Sequence, residues 1–297
     1  VSSGSDDAAT RAREGVAAGV IAYTLWGFLP IYLKIVAAVP ALEILAHRIV
    51  WAVPFGIPII AARRQWPEVR RALRDRRTLG LLWVSGGFIA INWLAYIWAV
   101  QHDQIFQASL GYYINPLLYV LIGVAVFRER LRPAQTAAVL LAAIGVAVLA
   151  VSGGQFPVVA LTLATSFTIY GVLRSRIAVG GMPGLFIDTL VLLPAAAGYA
   201  LWLGARGAGA FTGSEPAMAG LLMLAGPFTV LPLLAFALAA RRVRLSTIGI
   251  MQFISPTLQF LVGVGYGEVL TRAHVVCFAL IWIAVGAFSW DAWRHRS

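Results

Sequence analysis

Long apolar runs alternate along the chain with short polar stretches rich in arginine. Reading the runs between breaks gives ten segments: residues 15–36, 41–62, 78–100, 108–127, 134–151, 157–173, 184–203, 217–239, 246–267 and 273–290. A helix needs about 20 mostly apolar residues to cross the hydrocarbon core, and most of these runs approach that length. They are continuous rather than alternating, which argues against the strands of a membrane barrel. The connections are short and leave no room for a separate soluble domain. The pattern predicts an all-α polytopic membrane protein with ten transmembrane helices.

Composition agrees. The chain has 297 residues, of which 60% are hydrophobic and 12% charged. That charged share is about half the ~25% of soluble domains. An ordinary soluble enzyme, a disordered chain and a fibrous repeat are excluded. The formal net charge of +11 would suggest nucleic acid in a soluble protein, but here the positions of the charges decide. With ten spans, 19 of the 23 basic residues fall on one side and Lys34, Arg206 and Arg272 on the other, with Arg48 inside the second span. By the positive-inside rule both termini are expected in the cytoplasm, with the chain in the inner membrane and no nucleic-acid partner. The polar N-terminal tail, residues 1–14, lacks the apolar core of a signal peptide, so the first apolar run is expected to stay as an anchor. The segment 63–77 reads either as an amphipathic helix on anionic headgroups or as a plain orientation signal. Cys277 stands alone, so no disulfide within the chain and no cysteine-based zinc cluster is expected, and no metal or cofactor.

The fourth and ninth runs carry an internal repeat. Ile114-Asn115-Pro116-Leu117-Leu118-Tyr119-Val120-Leu121-Ile122-Gly123-Val124 aligns with Ile254-Ser255-Pro256-Thr257-Leu258-Gln259-Phe260-Leu261-Val262-Gly263-Val264, with 6 of 11 positions identical at an offset of 140. Both continue, after a one-residue slip, to an acidic residue and a leucine, Glu129/Leu131 and Glu268/Leu270. An offset of this size divides the chain into two halves of five spans, 15–151 and 157–290, with a short cytoplasmic tail at 291–297. Five is odd, so the second half enters the membrane inverted. Inverted repeats are characteristic of secondary transporters, whose sites lie between the halves near the midplane. Pro116 and Pro256 occupy matched positions and each removes a helical hydrogen bond, which suggests paired kinks on a transport pathway.

These features, together with Tyr23-Thr24-Leu25-Trp26-Gly27-Phe28-Leu29-Pro30, His47-Arg48-Ile49-Val50-Trp51, Asn92-Trp93 and Ala108 through Pro116, resemble the EamA-type members of the drug/metabolite transporter superfamily. Within that superfamily the chain resembles the RarD-like branch, related to the YddG-type amino-acid exporters. It extends over nearly the whole chain. It implies ten helices in two inverted halves and transport of small metabolites, often outward, with amino acids and aromatic or drug-like compounds among the substrates.

Ionisable groups at membrane depth cost roughly 3 to above 10 kcal/mol and therefore mark sites. Glu43, His47 and Arg48 lie in the second span and Asp188 in the seventh. Glu43 and His47 share a helical face, and Glu43 is near the outer end, where it is either interfacial or functional. Arg48 either pairs with Glu43 or carbonyls, or holds a substrate carboxylate or a gate. Together with Pro116 and Pro256 these four are the candidates for gating or coupling, with a proton as the candidate coupling ion. Candidate cavity residues are Tyr23, Trp26, Asn92, Trp93, Tyr96, Tyr112, Tyr113, Asn115, Ser166, Tyr170, Gln252, Ser255 and Gln259. A cavity walled by aromatics with a few amides suits amphipathic or aromatic small molecules.

A small-molecule exporter working by alternating access is therefore the leading expectation, with a monomer as the simplest form. An uncoupled facilitator of the same fold is the alternative. An intramembrane enzyme is a minor one, because no catalytic motif accompanies the buried polar groups.

Overall fold

A computed structural model describes residues 3–127, 132–152, 156–213, 216–243 and 245–294. Its elements, in chain order, are α1 (Ser3–Ile35), α2 (Ala41–Ala62), α3 (Trp66–Arg74), α4 (Arg76–Gln101), α5 (Ile105–Phe127), α6 (Pro133–Ser152), α7 (Val158–Ser175), α8 (Gly181–Ala205), α9 (Ala210–Gly213), α10 (Pro216–Ala240), α11 (Leu245–Met251), α12 (Ile254–Gly265) and α13 (Arg272–Arg294). Among the described residues there is no strand. Ten segments are long and apolar enough to cross a membrane, with α11 and α12 together supplying one of them. Large apolar side chains such as Ile21, Ile91, Leu140, Ile144, Leu201 and Ile283 point outward. Only a lipid surround makes that arrangement favourable over so much of a surface, and the chain is a multi-pass membrane protein.

The structure refines three expectations. First, the tail 1–14 is helical from Ser3 and continues into α1. Second, the segment 63–77 contains a true amphipathic helix, α3. Its Val69 and Ala72 are buried in an apolar cluster with Leu82 and Phe186, and Arg70, Arg71 and Arg74 stay exposed. Asp75 ends α3 and caps α4, accepting from the amides of Arg77 at 3.3 Å and Thr78 at 3.2 Å. These bonds, with one from the Thr78 hydroxyl, hold the exposed Asp75 carboxyl below its usual value. Third, the ninth run is two helices with a break at Gln252–Phe253, whereas α5 runs unbroken through Pro116. The break puts Pro256 third in α12, within a first turn, where a missing N–H is tolerated.

The packing is organised in pairs. Helix α1 packs on α10 and α12, α2 on α8 and α10, α4 on α7 and α8, α5 on α7 and α12, and α6 on α13. Exchanging each spanning helix for the one five spans away returns the same pairings. The α1–α10 pair becomes α7–α4, α2–α10 becomes α8–α4, and α1–α12 becomes α7–α5. The pairs α2–α8, α5–α12 and α6–α13 map onto themselves. Close approach at two of these crossings uses glycines 140 residues apart. At Gly226, where α10 crosses α2, a Cβ would come within 2.5 Å of the Trp51 carbonyl oxygen. At Gly86, where α4 crosses α8, it would sit 3.6 Å from the Asp188 carbonyl oxygen. Small residues that admit a neighbouring backbone are the usual adhesive of helices in lipid.

Candidate functional site

Two polar sites lie inside the bundle. The first surrounds Arg48, the eighth residue of α2 and only 7% exposed. Its Nε donates to Thr229 Oγ1 on α10 at 2.8 Å. Its guanidinium carbon lies 4.3 Å from the centre of the Trp93 ring on α4, the geometry of a cation–π contact. The phenols of Tyr32, Tyr96 and Tyr112 lie within its electrostatic reach. Tyr112 donates from its hydroxyl to Asn92 Oδ1 at 3.1 Å. The Asn92 amide in turn donates to Ser166 Oγ at 3.1 Å and to the Leu163 carbonyl at 3.0 Å. This network joins α2, α4, α5, α7 and α10 around one cation. The Tyr96 hydroxyl is buried within it and, among the described residues, has no hydrogen-bond partner.

The second site surrounds Asp188, the eighth residue of α8 and fully buried. One carboxylate oxygen accepts from Ser85 Oγ on α4 at 3.0 Å, the other from the Tyr170 hydroxyl on α7 at 3.2 Å. Arg174 lies within electrostatic reach, but its Nη2 is engaged with the carbonyls of Val179 and Gly180.

The arginine-poor end of the bundle carries a set of ties. Glu43 is buried at this end, 1% exposed. Its Oε1 accepts from the amide of Ala210 at 2.6 Å, at the start of α9. Arg48 does not pair with it, because five residues of helix turn the two side chains to different faces. His47 stands 3.9 Å from Glu43 and stacks on Phe211, with ring centres 4.8 Å apart. Lys34 and Asp103 form an ion pair at 2.5 Å. Glu268 accepts from the amides of Ile105 at 2.5 Å and Phe106 at 2.9 Å, tying the loop after α12 to the start of α5. Burial pushes the Glu268 carboxyl above its ordinary value, against the pull of those two amides.

The candidate cavity residues thus separate. Asn92, Trp93, Tyr96, Tyr112 and Ser166 converge near Arg48, and Tyr170 belongs with Asp188. Ser255 and Gln259 bond to one another at 3.1 Å, and Gln259 also donates to the Trp26 carbonyl at 3.3 Å. Tyr23 and Trp26 pack edge-on, 5.6 Å between ring centres, and Phe236 lies against both. Gln252 lies in the break before α12. Asn115 accepts from Thr168 at 3.4 Å. Tyr113 turns away from the Arg48 site: its hydroxyl meets Thr257 at 2.6 Å and its ring packs among Phe253, Phe278 and Trp282. Glu129 lies outside the described residues.

Thr229, Ser85 and Tyr32 were not legible as site residues, being single polar groups in apolar runs. The offset of 140 would have flagged one relation, since it maps Arg48 onto Asp188. Among the described residues no cluster of side chains suits a metal ion.

Comparisons with known proteins agree with this architecture. A model of the EamA-like transporter family matches residues 13–151. An uncharacterized transporter of Vibrio cholerae is 45% identical over 281 residues, covering 94% of this chain and 93% of its own. Protein RarD of Escherichia coli K12 is 42% identical over 286 residues, covering 96% of each. One solved crystal structure superposes with a TM-score of 0.58 at 22% identity, over 95% of this chain and 99% of its own, so the fold is shared.

Proposed function

The chain belongs to the EamA-like transporter family, with RarD proteins among its full-length relatives, and on that footing we propose that it is a secondary transporter exporting small metabolites across the inner membrane by alternating access. The observation that carries this reading is the aromatic-walled polar network around Arg48. It is buried at membrane depth, where such groups are costly unless they serve a pathway. The two five-helix halves, 15–151 and 157–290, act as inverted repeats in this reading, and the pairing that survives exchange of the halves supports it. The same exchange relates Arg48 to Asp188, so each half contributes the charged group of one site.

Asp188 is the group suited to proton coupling. It is a carboxyl held by two neutral hydroxyls, and among the described residues no salt bridge reaches it. Glu43, the other buried carboxyl considered, is engaged in holding α9. The reading assigns no catalytic chemistry to the chain.

The test is a transport screen in proteoliposomes with amino acids and small aromatic compounds, with and without a pH gradient. Accumulation driven by the gradient is expected. Equilibration without accumulation would favour the uncoupled facilitator, and no flux of any compound would overturn the transport reading. Cysteines placed at positions 70 and 208 should label from opposite sides of the membrane, position 70 from the cytoplasm. Labelling of both from one side would overturn the ten-span topology.

A further inference from the structure

Arg48 is a permanent cation, because a guanidinium keeps its proton at any physiological pH. It has five N–H donors, and among the described residues its hydrogen bonding is confined to Nε and Thr229. No acidic side chain forms an ion pair with it there: the four salt bridges found involve Lys34, His47, Arg132 and Arg242. Glu43 faces α9, and Asp188 faces Ser85 and Tyr170. A buried charge without a counter-charge is unfavourable, and Trp93 and Thr229 offset it only in part. A second observation points the same way. The Tyr96 hydroxyl, on a residue only 2% exposed, is a donor with no acceptor among the described residues. A positive fork and a free phenol beside it lack one thing, an anion.

We propose that Arg48 anchors the carboxylate of a small organic monoanion whose apolar, aromatic-sized body lies against Tyr32, Trp93 and Tyr112. This deepens the transport reading and rests on it for movement of the cargo, though binding is measured separately. The planar guanidinium matches a carboxylate with two parallel bonds, and Tyr96 supplies a further donor. One cation balances one negative charge, so a dianion would bring an unbalanced charge into the bundle. A zwitterion would bring an ammonium into a cluster without a carboxylate to receive it. The aromatic walls discriminate against an anion lacking an apolar body. An anionic cargo is also drawn out of a cell by an inside-negative membrane potential, in keeping with export.

The experiment uses the purified full-length protein in detergent and reads its thermal unfolding midpoint against 3-phenylpropionate, 3-phenylpropanamide, 2-phenylethylamine and acetate. The phenylpropionate should raise the midpoint and bind at least ~10-fold more tightly than the amide, the amine or acetate, the least that loss of a hydrogen bond to a charged group produces. Arg48→Gln should lose this preference, and Arg48→Lys should keep part of it, with the charge but not the fork. Without ligand, Arg48→Gln should unfold at or above the wild-type temperature, since a buried charge has gone. Tyr96→Phe, which folds without a missing partner, should weaken the carboxylate several-fold and leave the amide unchanged. The proposal is overturned if the amide or amine binds as tightly as the carboxylate, if none of the probes binds, or if Arg48→Gln and Tyr96→Phe both leave binding unchanged. Carboxylate binding with no flux in liposomes would sink the transport reading and leave the site standing. Flux of the amine or amide, with no carboxylate binding, would do the reverse.

Discussion

Arg48 and Asp188 occupy equivalent places in the two halves of the molecule. Each is the eighth residue of its helix, and they lie 140 positions apart. Each bonds to a hydroxyl on the helix that crosses it, Thr229 on α10 and Ser85 on α4. Each has a tyrosine from a third helix nearby, Tyr32 of α1 and Tyr170 of α7. Their charges are opposite, and so is the completeness of their bonding. Both oxygens of Asp188 are engaged with donors, while most of the guanidinium of Arg48 is unbonded within the described residues. In the inverted-repeat reading, the two halves hold a polar group at matched positions with different chemistry. A guanidinium cannot shed its proton, whereas a carboxyl can, so only one of the two positions is suited to proton exchange. In the transport reading, the first half holds the cargo and the second carries the coupling group.

The comparison breaks most visibly at Asp188→Asn. With the proton-exchanging group removed, accumulation driven by a pH gradient should fall at least ~10-fold, worth about 1.4 kcal/mol or more. Exchange of cargo at equal concentrations should persist. Loss of both in a folded protein, as expected for Arg48→Gln, would show that the two positions do not divide the work. Undiminished accumulation in Asp188→Asn would remove Asp188 from coupling altogether.

The scaffold half of the comparison is tested at the two glycines. Gly226→Ala presses a methyl group against the Trp51 carbonyl and should destabilise by about 1–3 kcal/mol, as overpacking does. Gly86→Ala meets only ordinary contacts and should change stability by less than about 0.5 kcal/mol. Denaturation of both variants in mixed micelles measures the difference. Equal effects would mean that the two crossings are equally tight.

The smallest effect concerns Glu268. Its folded-state carboxyl is raised by burial, so the folded protein favours the protonated form. The associated stability is present below the ordinary glutamate value and is lost as pH rises through the raised one. Glu268→Gln does not titrate and keeps an acceptor for one of the two amides, of Ile105 or Phe106. It should flatten that part of the stability profile, read as melting temperature against pH. An unchanged slope would assign the dependence to another group.

Much of the architecture was legible because lipid imposes simple rules. An uninterrupted apolar run long enough to cross can only be a helix in a bilayer, and the arginine clusters recur at alternate connections. The runs around Pro116 and Pro256 exposed the repeat, since a proline and a glycine in fixed register stand out against leucine-rich background. The sites were less legible. The sequence offers thirteen cavity candidates without separating Asn92, Trp93, Tyr96, Tyr112 and Ser166 from the rest, and it puts Tyr113 with its neighbour Tyr112, although adjacent residues on a helix face directions about 100° apart. Glu43 was placed by depth alone, and depth does not reveal that α9 folds back over it.

Residue composition along the chain was enough for the all-helical class, the ten spans and the short set of residues too polar for lipid. Those follow from local composition and the free energy of placing each segment in hydrocarbon. Three things waited on the folded bundle: that Arg48 meets Thr229 and Trp93 rather than Glu43, that Asp188 rests on Ser85 and Tyr170, and that the ninth span breaks before Pro256. These depend on which helix faces meet, and that is settled by contacts between distant residues, such as Arg48 and Thr229, 181 positions apart.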